Sequence, residues 1–311
     1  MRQNVGMTTS QELHDRIVGQ NLGKRFLANL DTNAAVEVVR WKDADGSWHG
    51  WTMTDLADVT ARLATGLADL GVGKGDTVVL MMRNRPEFHA LDLAVLFLGA
   101  TPVSIYNSSA PEQIDYLVND CKAKVAVVED DAFLERFLKV RESLSTLESI
   151  VLIEPSETAG DAVVPYRQLS GADAADLRAL AEIATLDDIA TIIYTSGTTG
   201  PPKGVMLSHS NIAWTLESVG QSMREQTDIE DFAGKKHLSY LPMAHIFERL
   251  LGHYYLLDFA AQVTCCPEVF RGTWDFKRVH PARQDDRINP RPCRTTQGCS
   301  IQVGSHDSFP E

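Results

Sequence analysis

TVVLMM at residues 77–82, PEFHALDLAVLFL at residues 86–98 and TPVSI at residues 101–105 spell strand, helix and strand. The outer runs are short, apolar and rich in β-branched residues. The middle one opens on Pro86, whose missing N–H costs nothing in the first turn of a helix. The alternation continues on both sides. Upstream, residues 36–41 and 48–52 read as strands joined across Asp45-Gly46, a hairpin signal because glycine tolerates positive φ. Thr54 then reads as an N-cap, with Leu56, Val59, Leu63, Leu67 and Leu70 at helical spacing and Gly71 as the stop. Downstream, helices at 111–120 and 131–142 separate strands at 124–129 and 149–153. Strands alternating with helices of this length predict right-handed βαβ units and a parallel sheet covered on both faces, an α/β fold.

Residues 154–188 read as a polar connector with a short Ala-rich helix at 172–183, and a subdomain boundary is placed there. Beyond it come a strand at 189–195, a loop to about residue 207, a helix from Ser208, a strand at 237–241, a helix at 244–257 and a strand at 262–266. From Pro267 to Glu311 apolar residues thin out while Arg, Pro, Gly, Gln and Ser accumulate, which predicts a disordered or non-native tail. The expected organisation is a flexible N-terminus at 1–20, one folded region at 21–266 and the tail at 267–311.

A chain of 311 residues, 44% hydrophobic and 23% charged, can bury a sizeable core. Its net charge of −13 argues against a nucleic-acid binder, which needs a basic face to neutralise phosphates. The five cysteines show neither a CxxC nor a His-Cys ligand spacing, so reduced, cytoplasmic thiols are expected rather than a zinc site or a disulfide framework. Residues 1–20 contain no apolar signal-peptide core, and the longest apolar run, 91–100, is about half of a bilayer span. At most peripheral membrane contact is expected.

The chemistry is concentrated in Tyr194-Thr195-Ser196-Gly197-Thr198-Thr199-Gly200-Pro201-Pro202-Lys203-Gly204, read as a loop between a buried strand and a helix. Open α/β sheets bind ligands at such strand ends. Glycines let the backbone approach closely, four hydroxyls at Thr195, Ser196, Thr198 and Thr199 can donate to phosphate oxygens, and Lys203 adds a mobile charge. The string is not a Walker A loop: counting from Gly197, the second glycine would fall at Pro202, and no Ser or Thr follows Lys203. It is not G-x-G-x-x-G either, which leaves a nicotinamide-cofactor enzyme with little support.

This string resembles the signature loop of the adenylate-forming superfamily of acyl-CoA synthetases, peptide-synthetase adenylation domains and luciferases. A second element, Tyr240-Leu241-Pro242-Met243-Ala244-His245-Ile246-Phe247-Glu248-Arg249, is similar to that family's acyl-pocket motif, in the form of the long-chain fatty acid–CoA ligase branch. The likeness covers roughly residues 20–266. It implies an incomplete adenylate-forming N-terminal domain acting in lipid metabolism. ATP and a fatty acid would give acyl-adenylate and pyrophosphate, and CoA would then give acyl-CoA, with Mg2+ accompanying ATP. By position in the motif, Thr195, Ser196, Gly197, Thr198, Thr199, Gly200 and Lys203 would grip the ATP phosphates. His245 would stand at the acyl-pocket wall, and Arg249 falls where some relatives place a substrate gate. As bare residues, His245 and Arg249 on an amphipathic helix read as a solvated or satisfied face. His209, Asn211 and Trp214 read as structural.

Family members continue well beyond this length. The elements that contact adenine, ribose and magnesium, and the C-terminal domain with its catalytic lysine, have no counterpart in this sequence, so no metal ligand is expected within it. The resemblance therefore implies a C-terminally truncated chain that a complementing C-terminal polypeptide would complete. The alternative is a catalytically silent nucleotide-binding or interaction fragment. A peptide-synthetase fragment is weakened by the string Ile246-Phe247-Glu248-Arg249.

Overall fold

Short runs rich in β-branched and apolar residues become strands, and five of them form one parallel sheet in the computed structural model of the chain. The structure describes residues 9–266 except 44, 158, 159, 161, 162, 196–200 and 228. In chain order, α1 (Ser10–Ile17) and α2 (Leu22–Asn33) precede the antiparallel pair β1 (Glu37–Lys42) and β2 (Trp48–Thr52). Then come α3 (Met53–Asp69), β3 (Thr77–Met81), α4 (Pro86–Phe97), β4 (Thr101–Ser104), α5 (Pro111–Asp120), β5 (Val125–Val128), α6 (Asp131–Lys139), β6 (Ser149–Leu152), β7 (Val163–Pro165), α7 (Tyr166–Ser170) and α8 (Leu177–Leu180). The remainder is β8 (Ile189–Thr195), β9 (Lys203–Ser208), α9 (His209–Gln226), β10 (Lys236–Ser239), α10 (Ile246–Glu248), a π-helical segment Arg249–Tyr254, α11 (Tyr255–Phe259) and β11 (Gln262–Cys265).

The central sheet has the order β4-β3-β5-β6-β7, every pair parallel, as the strand-helix alternation predicts. This is a doubly wound order. All residues of β3, β4 and β5 are buried. In α4 every residue except Glu87 is buried, and the helix touches β1 of a second sheet as well as β3 and β4. A helix that is apolar all round belongs in an interior.

The second sheet, β10-β11-β1-β2, could not be read from local patterns. β1 pairs in parallel with β11, Val39 opposite Val263, so the late strand-helix-strand unit closes onto the first strand of the chain. The connector 154–188 is also more structured than expected. β7 joins the central sheet, the helical turns are α7 and the short α8 rather than one helix over 172–183, and Leu169 and Leu177 enter the core.

Part of the terminus expected to be flexible is a helix. Thr9 and Glu12 form a capping box at the start of α1, Leu13 and Ile17 are buried, and Arg16 reaches Glu217 and Gln221 on α9. Its single apolar stripe, two residues one turn apart, is too short to stand out in a polar sequence. The tail expected to be disordered, 267–311, lies outside the described residues.

One close approach fixes the α3–α7 contact. A Cβ on Gly66 would lie 2.5 Å from the Leu169 Cα, a backbone atom that cannot swing away. Gly66→Ala is therefore expected to push the helices apart and to cost about 1–3 kcal/mol in urea denaturation. An unchanged midpoint would contradict the contact.

Candidate active site

The motif segment begins on β8, whose bounds match the expected strand, but its far side differs from expectation. Instead of a loop running to residue 207, Lys203–Ser208 forms β9, antiparallel to β8, and α9 follows directly. Val205-Met206-Leu207 supplies the β run, and Gly204 suits it because a Cβ there would lie 2.8 Å from Ile192 Cγ2 and 3.2 Å from Tyr194 Cζ. Thr195 and Lys203 are the terminal pair of this ladder and both are exposed. Ser196, Gly197, Thr198, Thr199 and Gly200 lie outside the described residues.

Side chains hold this two-stranded sheet to the rest of the fold. Thr101 donates to the carbonyl of Ile189 (3.1 Å) and Thr191 to that of Pro102 (2.8 Å), docking β8 beside β4. The Tyr194 hydroxyl donates to Asp120 Oδ2 at 2.6 Å, and burial, with this carboxylate beside it, pushes the phenol pKa up. Tyr116 donates to the carbonyl of Pro202 at 2.9 Å. At the start of α9, Ser208 and Asn211 form a capping box. His209 is buried, its Nδ1 accepts from the Leu22 amide at 3.2 Å, and burial pushes its pKa down to about 4. His209 and Asn211 are thus structural, as expected.

The second motif surrounds the turn after β10. Asn84 donates to Ser239 Oγ (2.9 Å) and to the carbonyl of Leu241 (2.8 Å), while buried Glu248 accepts from the Leu241 amide (3.2 Å) and pairs with His237 Nε2 (3.0 Å). Gly252 makes room for that carboxylate, since a Cβ would fall 2.2 Å from Glu248 Oε1. His245 is exposed and caps α10, its Nδ1 accepting from the Phe247 amide at 3.2 Å. The turn carrying it is therefore fixed from both ends.

Arg249 takes the satisfied rather than the solvated of the two settings expected of it: the residue is fully buried, on a π-helical segment where an α-helix was expected. Its guanidinium donates to Asp92, Ser104 Oγ, the carbonyl of Pro102 (3.2 Å) and the Tyr254 hydroxyl (3.1 Å). Asp92 also accepts from His253 Nε2 at 2.8 Å. The Nδ1 atoms of His253 and His89 stand 3.0 Å apart, within hydrogen-bond distance, with the donor set by the tautomers, and Cys265 Sγ lies 3.7 Å from His89 Nε2. Burial, then the neighbouring His253, holds the His89 pKa well below the usual range. Sequence alone offered one hint of this cluster: Asp92 is the single charge inside the apolar run 91–100. An acid there needs a buried partner.

Burial raises the Cys121 thiol to about 12 and pushes the Cys265 thiol up as well, so both stay protonated and unsuited to nucleophilic attack. Cys121 and Cys265 form no disulfide. Among the described residues no group of three or more His, Cys, Asp or Glu is arranged to hold a metal ion, and no helix is long and apolar enough to cross a membrane.

A doubly wound sheet, a second sheet closed by the chain's first strand, and a Gly/Thr-rich segment flanked by Thr195 and Lys203 together define a nucleotide-binding class of fold. The family of AMP-binding enzymes matches residues 28–281, and the chain belongs to it. The matched span runs beyond Pro267. The chain is 30% identical over 235 residues to the long-chain-fatty-acid–CoA ligase ACSBG2 of Xenopus laevis, covering 73% of this chain and 31% of that protein. It is 34% identical over 209 residues to the long-chain-fatty-acid–CoA ligase FadD15 of Mycobacterium tuberculosis, covering 67% and 34%. The anthranilate CoA ligase AuaEII, solved with anthranoyl-AMP, superposes with a TM-score of 0.69 at 20% identity, over 84% of this chain and 47% of that one. A Mycobacterium tuberculosis fatty acyl CoA synthetase gives 0.67 at 23% identity over the same shares. The chain spans about a third of the length of the curated relatives it matches.

Proposed function

We propose that this chain supplies the phosphate-gripping part of an AMP-forming long-chain fatty acid–CoA ligase. Its membership of the AMP-binding family supports the reading, and the pairing of exposed Thr195 with exposed Lys203 across the two strands that bracket the signature segment carries it. In the reaction, a fatty-acid carboxylate oxygen attacks the α-phosphorus of ATP and the bond to the bridging oxygen breaks, releasing pyrophosphate. The CoA sulfur then attacks the acyl carbon of the adenylate, AMP leaves and the thiol proton is lost. Charge on the departing pyrophosphate grows as the bond breaks, and the hydroxyls of Thr195, Ser196, Thr198 and Thr199, the backbone of Gly197 and Gly200, and the Lys203 ammonium are the groups to stabilise it. Mg2+ would accompany ATP as part of the substrate and would offset part of the phosphate charge. The firmly held His245 forms part of the acyl-pocket wall, and a complementing C-terminal polypeptide provides the remaining contacts.

The deciding experiment is ATP–pyrophosphate exchange, run on the chain alone and with a supplied C-terminal polypeptide of the family. Exchange that depends on a long-chain fatty acid and not on amino acids is expected once the C-terminal polypeptide is supplied, and exchange by the chain alone would refute the need for one. ATP binding without exchange in either preparation would overturn the ligase reading in favour of a nucleotide-binding module. Lys203→Ala is expected to weaken ATP binding about 10- to 150-fold by calorimetry, the loss of one charge-assisted hydrogen bond of ~1.5–3 kcal/mol. Unchanged affinity would remove Lys203 from the site.

A further inference from the structure

Both strands that bracket the signature segment are tied to one face of α5. Tyr194 at the end of β8 bonds Asp120, and the carbonyl just before β9, that of Pro202, receives the hydroxyl of Tyr116. Tyr116 and Asp120 stand four residues apart, neighbours on the helix surface. Neither bond serves the βαβ frame. Helix α5 connects β4 to β5 in the central sheet, whereas β8 and β9 form a sheet of their own.

The Tyr116 bond has a specific geometric effect. A peptide unit is planar and trans, with its C=O and N–H pointing in opposite directions. A hydroxyl that holds the Pro202 carbonyl therefore also orients the Lys203 amide. Together with the cross-strand pairing of Lys203 to Thr195, it fixes the direction in which the Lys203 side chain leaves the backbone. The ring of Tyr116 separately packs, partly buried, against the core on that side of the central sheet. Ring and hydroxyl thus have separable roles.

We propose that Tyr116 is a positioning residue for the Lys203 ammonium, acting through the Pro202–Lys203 peptide, so that less backbone freedom is lost when a polyphosphate binds. This rests on the polyphosphate reading of the site. Tyr116→Phe keeps the ring and removes the tether. In the full chain it is expected to raise the Kd for ATP and for inorganic pyrophosphate about three- to tenfold. In a Lys203→Ala background the same change is expected to cause no further loss, because an effect routed through Lys203 vanishes with it. Without ligand, hydrogen exchange at the β9 amides should quicken.

Losses that add independently to that of Lys203→Ala, or exchange rates that do not move, overturn the proposal. A wild-type chain that binds neither ATP nor pyrophosphate overturns the polyphosphate reading and this role with it. The exchange rates then tell that failure apart from a failure of the tether.

Discussion

Asp92→Ala is expected to lower the stability of the chain by about 3–5 kcal/mol, the usual cost of stripping one partner from a buried ion pair. The carboxylate sits with no solvent exposure between Arg249 and His253, both also fully buried. Its removal leaves a guanidinium charge in the interior with only neutral acceptors, and the His253 Nε2 proton with none. Against the ~5–15 kcal/mol that holds a typical domain together, this is a large share. Urea denaturation measures it. The double change Asp92→Leu with Arg249→Met should recover part of the loss, because two well-packed apolar side chains need no partners. The unrecovered part reflects His253, still without an acceptor. A single-variant cost below ~1 kcal/mol would mean that water reaches the cluster.

The second large effect is acid sensitivity above the range where carboxylates titrate. His209 has its pKa held at about 4 by burial, and His89 is held well below its ordinary value for the same reason with His253 adding to it. Both bind protons more readily in the unfolded chain than in the folded one. Their contribution is complete above the unfolded pKa of ~6.5 and is lost as pH falls through the window towards the folded values. For His209 alone the loss is on the order of 3 kcal/mol by pH 4. The structure shows the mechanism: a proton on His209 Nδ1 would face the Leu22 amide it now accepts from, at the start of α2. Urea midpoints between pH 7 and pH 4.5 should fall steeply, and less so in His209→Gln. A flat profile over that window would show that neither histidine is desolvated in solution.

The parts legible from sequence are those whose signal is local. Short apolar, β-branched runs placed β3, β4, β5 and β6 within a few residues, because a parallel sheet covered on both faces leaves little polar alternation, and Pro86 and Pro111 marked the starts of α4 and α5. The features that escaped depend on distant partners. The β1–β11 pairing leaves no local trace, and β9 was hidden by the glycines and prolines beside it. The π-helical segment reads like α-helix because the apolar spacing over 244–257 fits both. Sequence left Arg249 open between a solvated and a satisfied setting because Asp92, 157 residues earlier, could not be matched to it. At the candidate site the glycine- and hydroxyl-rich signature segment was legible as a sequence, but the tethers of Tyr116 and Tyr194 to their partners were not.

The pairing of β1 with β11 also bears on how the chain is made. The Gln262 side chain bonds Glu37, which lies 225 residues earlier. At a ribosomal rate of ~5–20 residues per second, the β1–β2 pair emerges roughly 10–45 s before the strand that will cover its inner edge. Throughout that interval β1 presents unsatisfied backbone groups and the apolar Val39, a template for the wrong partner. The doubly wound sheet, built from neighbours in sequence, can assemble during the wait, whereas the second sheet must be the last part to close. Nascent chains halted before residue 262 should therefore engage chaperones through the β1 edge, and that engagement should end once β11 is out.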